Sequence, residues 1–353
     1  MTGLMVLGVS GLCMGQRRHR DTVQLRGQTL TNVTVLSEDY REVQLDTDGD
    51  GVVDRKVPQN EVRQVVYDDV PAAYRTAMAV FRLGNQYDKA LKHFAEAGKT
   101  GGVRPWLKDY VAYYSAECVR RQAGTDRALL AQAAQKYQDA LASNANSPFR
   151  EGLQLGLGSI LLQQNDLDGA RRQFASLERA AVKDEFKLGA MLNLARVDML
   201  REQPAEAVKQ FDKVLAKGEK GYSATYAEAV VGKGRALIAL KQYPEAGRFL
   251  EGALKTTRND ALLSEGYTTL GDCRYEYAGT LKDKKAARSA YKSALMAYLR
   301  VEVLYYQDSE MLAKSLYYAG KCFQNLERDD RAQEKFALLR KKFPDSPWTS
   351  KIR

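Results

Sequence analysis

Four closely spaced aspartates are the residues best placed for chemistry. Asp46-Thr47-Asp48-Gly49-Asp50-Gly51-Val52-Val53-Asp54 sets carboxylates at alternate positions, where they can converge on a hard cation. Gly51 permits the sharp turn that a calcium loop needs. However, the twelfth position is Val57, where such a loop wants a bidentate Glu, and the flanks read as strands. Asp-Gly pairs are also favoured hairpin turns. The expectation is an acidic hairpin tip with no metal and no cofactor; calcium is the alternative.

Little else in the chain has the makings of a reactive centre. There are two histidines, His19 and His93, and four cysteines with no CxxC pair. That spacing suits neither a zinc site nor a disulfide framework. Gly232-Lys233-Gly234 is no phosphate loop, because no strand precedes it and helical text surrounds it. No Ser/His/Asp set or cofactor fingerprint is present, so no enzyme is expected.

The elements around these residues differ along the chain. Residues 1–16 form an apolar leader of signal-peptide size, too short to span a membrane. No Lys or Arg precedes the apolar run, and Leu12 stands before Cys13 where a lipobox wants a small residue. Export is the expectation, and lipidation at Cys13 the alternative. Residues 17–70 hold short β-branched runs (DTVQL, TLTNVTVL, REVQLDT, VVDRKV, EVRQVVY) parted by Gly, Asp, Asn and Pro. They predict a small antiparallel barrel or rolled sheet. From Pro71 onward the apolar period becomes helical. Residues 1–70 carry 8 Lys+Arg against 11 Asp+Glu, and the remainder 46 against 33, so the helical body is at +13. Mean hydropathy is −0.46, and no transmembrane helix is expected in the mature body.

The helical part repeats itself. A small residue is followed at four and seven positions by a large and then an apolar one. The series runs Ala90/Phe94/Ala97, Ala133/Tyr137/Ala140, Ala170/Phe174/Leu177, Ala207/Phe211/Val214, Ala246/Leu250/Ala253, Ala294/Tyr298/Val301 and Ala332/Phe336/Leu339. Upstream lies a second small residue: Gly158, Ala195, Gly234, Gly320 and, approximately, Ala77, with Gly271 in the sixth unit. Two helices that cross closely need small residues at the crossing and a ring beyond it. Each hairpin leaves one apolar face bare, so neighbours must stack. Within this pattern Cys118, Cys273 and Cys322 fall two positions after a small residue and read as buried hydrophobes.

Gly234, Tyr243, Ala246 and Ala253, and likewise Gly320, Ala332, Phe336 and Pro344, resemble the tetratricopeptide repeat family. The resemblance covers residues 71–345, about seven units. Residues 346–353 would be a C-terminal tail. The implied fold is mainly α, a right-handed α-α superhelical solenoid of hairpins, preceded by a small all-β module resembling SH3-like modules of exported bacterial proteins. Lys341-Lys342-Phe343-Pro344-Asp345-Ser346-Pro347-Trp348 resembles the repeat ends of cell-envelope members of the family, which implies a periplasmic or envelope location.

The resemblance also implies a groove lined by first helices, with contact residues near the second, fifth, ninth and twelfth positions of each unit. Carried over by position, the candidates are Tyr113, Arg120, Arg196, Arg235, Tyr317 and Lys321. They would hold an extended, acidic protein segment through its carboxylates and backbone. The expected function is a non-enzymatic scaffold for protein–protein interaction. The alternative is a binder of anionic polymer or nucleic acid through the basic body, disfavoured because the cations are dispersed among acids. The Lys/Asn pairing of chaperone-binding members is not matched. The sequence leaves the oligomeric state open.

Overall fold

The computed structural model describes residues 19–352. The leader and Cys13 lie outside the described residues. The chain forms two compact units, Met1–Leu153 and Gln154–Arg353.

The first unit opens with five strands: β1 (Asp21–Leu25), β2 (Thr29–Glu38), β3 (Glu42–Asp46), β4 (Arg55–Pro58) and β5 (Val62–Val66). They form one antiparallel sheet in the order β4-β3-β2-β1-β5. The β-branched runs become strands because alternate residues, such as Val23 and Leu25 or Val43 and Leu45, face one core. β2 is long enough to serve two neighbours: Thr29–Val33 pair with β1 and Thr34–Glu38 with β3. Asn32, at φ 58°, marks the irregularity beside Asp21 where the register to β1 shifts.

Helices follow in the same unit: α1 (Ala72–Leu83), α2 (Tyr87–Ala97), α3 (Trp106–Ala123) and α4 (Arg127–Ser143). The sheet does not stand apart from them. Tyr67, just past β5, stacks on Trp106 at 4.3 Å, and Tyr110 meets both rings edge-on. Arg104, before α3, donates to both carboxylate oxygens of Asp21 at 2.7 Å and to Asp69 at 2.8 Å. Asp21 is fully buried, and it also accepts the backbone N–H groups of Val35 and Asp68. Glu38 accepts from Tyr67 and Tyr110. Thus strand ends, the Asp68–Asp69 link and the start of α3 share one buried ionic and aromatic joint.

The helix α5 (Arg150–Gln163) begins in the first unit and continues in the second. The second unit holds α6 (Leu167–Ala180), α7 (Asp184–Leu200), α8 (Pro204–Leu215), α9 (Ser223–Ala239), α10 (Tyr243–Thr256), α11 (Asp260–Thr280), α12 (Lys284–Leu304), α13 (Ser309–Asn325), α14 (Asp329–Lys342) and the short α15 (Pro347–Ser350). Asp166, Asn259, Asp283 and Asp308 cap helices with their side chains, and Pro204 and Pro244 open others.

The repeat anchors do what their size requires. Ala90, Ala133, Ala170, Ala207, Ala246, Ala294 and Ala332 are all fully buried. A Cβ on Gly158, Gly271 or Gly320 would stand 2.5, 2.5 and 2.4 Å from the rings of Phe174, Tyr298 and Phe336. The first helix therefore lacks a side chain where the second helix inserts its ring. Seven residues past the small position the chain turns through left-handed backbone, at Gly84 (φ 77°), Asn165 (62°), Glu202 (58°), Lys241 (59°) and Glu327 (59°). The sixth unit is longer than the others, because α11 and α12 are each 21 residues long. The three described cysteines are buried and unpaired, and burial pushes the Cys118 thiol up to about 12 and Cys273 to about 11.

Candidate functional site

The aspartate loop is occupied by its own backbone. Asp46 accepts the N–H groups of Gly49 at 2.5 Å and Gly51 at 2.9 Å. Asp54 accepts from the Thr47 N–H at 2.6 Å and from its hydroxyl at 2.9 Å. Asp46, Asp48 and Asp50 do place one oxygen each within 4.8 Å of the others. Gly49 and Gly51 take positive φ, which lets the hairpin tip fold back onto the Asp46 carboxylate.

In the first unit, Tyr113 and Arg120 face internal partners. Tyr113 stacks on Phe149 at 4.3 Å. Arg120 donates to Glu117 at 2.8 Å and to the Tyr137 hydroxyl at 3.2 Å, and that hydroxyl in turn donates to Glu117. Burial alone would raise the Glu117 carboxyl; the Arg120 hydrogen bond and charge, then Tyr137, hold it below its usual value. Both candidates thus pack α3 within the first unit, against Phe149 and against Tyr137 of α4.

In the second unit the first helices α7, α9, α11 and α13 are successive neighbours. Their ninth and second positions meet. Arg196 pairs with Glu228, and also donates to Asn193 at 3.1 Å. Arg235 donates to Glu265 at 2.8 Å, and Lys314 donates to Asp272 at 2.5 Å. These rungs tie each first helix to the next. The two candidate arginines are therefore neutralised within the groove.

Between the second and third rungs lies a cavity of about 390 Å³, lined by Arg235, Ile238, Ala239, Lys241, Tyr243, Asp272, Glu276, Lys314 and Tyr318. Asp272 accepts from the buried Tyr298 hydroxyl at 2.9 Å as well as from Lys314, so its charge is fixed in place. Burial pushes the Tyr318 phenol up to about 12, with the charge of Asp272 adding to it. Tyr318 is therefore a neutral donor at physiological pH. An exposed carboxylate, two tethered cations and the exposed Lys241, an aliphatic wall and phenols together suit an extended backbone with mixed side chains. Tyr317 and Lys321 line a separate cavity with Gln324, Phe336, Ser350, Lys351 and Ile352. Trp348 of α15 packs on Tyr317 and Tyr318, with ring centroids 5.6 Å from each.

Of the candidates, Arg235, Tyr317 and Lys321 line these two cavities and Arg196 lies in a rung; Asp272, Glu276, Lys314 and Lys351, which also line them, were not singled out from the sequence. For Asp272 and Lys314 the available signal was complementary charge at the ninth position of one unit and the second of the next.

Residues 314–346 match the tetratricopeptide repeat family model. The last hairpin is similar to a tetratricopeptide repeat. The fold of the helical part is likewise that of solved tetratricopeptide proteins. One from Parabacteroides merdae aligns with a TM-score of 0.54 at 15% identity, over 79% of this chain and 94% of that one. The C-terminal part of a repeat-containing protein from Cytophaga hutchinsonii aligns at 0.53 and 16% identity, over 78% and 98%. The apo form of RapI aligns at 0.55 and 14%, over 79% and 78%. No curated protein matches the chain. Among the described residues no helix is long and apolar enough to cross a membrane.

Proposed function

We propose that this protein is a non-enzymatic scaffold of the bacterial cell envelope that binds an extended segment of a partner protein along its first helices. The observation that carries this reading is the cavity on α9, α11 and α13. Arg235, Asp272 and Lys314 are pre-positioned there by rungs, so little of their side-chain entropy remains to be lost when a peptide docks. Paired cations and interleaved acids give a groove of mixed sign, which suits a protein segment better than a polyanion. The leader pattern and the Lys341–Trp348 text support an envelope location.

Rung reversal tests the groove. Arg196→Glu with Arg235→Glu places like charges on both rungs, whereas adding Glu228→Arg and Glu265→Arg restores the pairs with opposite polarity. Partner recovery should fall in the first variant and stay low in the second, although the second regains thermal stability. Equal recovery by all forms would place the binding surface elsewhere. Fractionation of the native host tests location: the protein should leave the cytosol, and a wholly cytosolic chain rejects the envelope assignment.

A further inference from the structure

The three rungs of the second unit follow one rule: the ninth position of a first helix meets the opposite charge at the second position of the next. Arg196 meets Glu228, Arg235 meets Glu265, and Asp272 meets Lys314. The next rung breaks it. The ninth position of the last unit is Lys321, on α13. Asp345-Ser346-Pro347-Trp348-Thr349-Ser350-Lys351 repeats the register of Asp308-Ser309-Glu310-Met311-Leu312-Ala313-Lys314, so Lys351 takes the second position. Both lysines line one cavity of about 550 Å³, together with Tyr317 and Gln324, and among the described residues no carboxylate side chain lines it. Lys351 lies 4.0 Å over the Trp348 ring, and that ring packs on Tyr317.

We infer that the Lys321/Lys351 rung is completed by the partner: it takes the carboxylates of an acidic stretch of peptide, continuing the segment that the mixed-charge cavity holds. This rests on the groove reading above. Two ammonium groups facing one cavity repel each other, and a carboxylate between them removes that cost while gaining charge-assisted hydrogen bonds. Tyr317 and Gln324 add a hydroxyl and an amide donor. A polyanion such as nucleic acid is disfavoured because Glu228, Glu265, Asp272 and Glu276 lie along the same row of helices.

The test uses the full chain, a fluorescein-labelled hexaglutamate peptide and a labelled oligothymidylate of similar charge, read by fluorescence anisotropy at about 50 mM salt. Native protein should bind the peptide. Lys321→Glu with Lys351→Glu should raise its Kd on the order of tenfold or more, as expected for two lost charge-assisted contacts. Lys321→Arg with Lys351→Arg should retain binding. Arg172→Glu with Arg248→Glu, an equal charge change on exposed second-helix positions, should leave Kd within about twofold. Peptide binding that falls equally in the control overturns the inference, as does no binding to native protein. Oligothymidylate bound more tightly than peptide and lost in the same variant also overturns it, in favour of a phosphate polymer. If the peptide arm fails while a photocrosslinker at position 276 still traps a protein, the acidic rung falls and the groove reading stands; if both fail, both fall.

Discussion

Replacing Arg104 by Met should unfasten the sheet from the helices that follow it. Asp21 is fully buried and would lose two charge-assisted hydrogen bonds of 2.7 Å, keeping only the N–H groups of Val35 and Asp68. Asp69 would lose the guanidinium but keep the Trp106 indole N–H at 3.0 Å. Removing one partner of a buried pair leaves an uncompensated charge, which costs about 3–5 kcal/mol. The chain has two tryptophans, Trp106 at this joint and Trp348 in the other unit. In a Trp348→Phe background, Trp106 fluorescence therefore reports the first unit alone. With an m-value of about 2 kcal/mol/M, the urea midpoint should fall by roughly 1.5–2.5 M. Asp21→Asn removes the stranded charge, so the double variant should be at least ~1 kcal/mol less destabilised than the two singles summed. A shift below about 1 kcal/mol for Arg104→Met, or strict additivity with Asp21→Asn, would refute a charge-coupled joint.

Acid should loosen the same joint. Burial pushes the Asp69 carboxyl up, but hydrogen bonds from Arg104 and Trp106 outweigh it and hold it at about 2 against 3.8. A depressed folded pKa gives stability that is full above about pH 4 and lost as pH falls towards 2, here about 1–2 kcal/mol after solvent screening. Asp109, raised by burial, works in the opposite sense. Trp106 fluorescence followed from pH 5 to 2 checks the sign, and Arg104→Met should flatten the profile. Gly320→Ala should destabilise the last hairpin by roughly 1–3 kcal/mol despite alanine's better helix propensity, because its Cβ would lie 2.4 Å from Phe336. Thermal unfolding read at Trp348 checks this; a gain in stability would mean that the ring moves freely. Cys118, Cys273 and Cys322 should resist iodoacetamide at pH 8 in the native protein and react in urea, as mass spectrometry of the alkylated peptides would show.

Much of the fold was legible because it rests on local spacing. The five β-branched runs became the five strands, and every anchor alanine lies at a helix crossing. The joint at Arg104 was not legible. Arg104 meets Asp21 across 83 residues, and nothing local marks an arginine before a helix as the partner of a strand-end aspartate. The groove was half legible for a similar reason. Position within a repeat tells which residues line it, but not that Arg196 and Arg235 are consumed by Glu228 and Glu265. That depends on the stacking of successive units. Tyr113 and Arg120 occupy groove positions yet engage Phe149 and Glu117: Glu117 lies one turn before Arg120 on α3, and Phe149, beyond α4, stacks on Tyr113.

The central claim is that a partner protein lies along the first helices of the second unit. Site-specific photocrosslinking in the native host tests it directly, with p-benzoylphenylalanine in place of Glu276 in the groove or of Arg248 on a second helix. A discrete protein adduct is expected from position 276 and none from position 248. An adduct from position 248 with none from position 276 would contradict it.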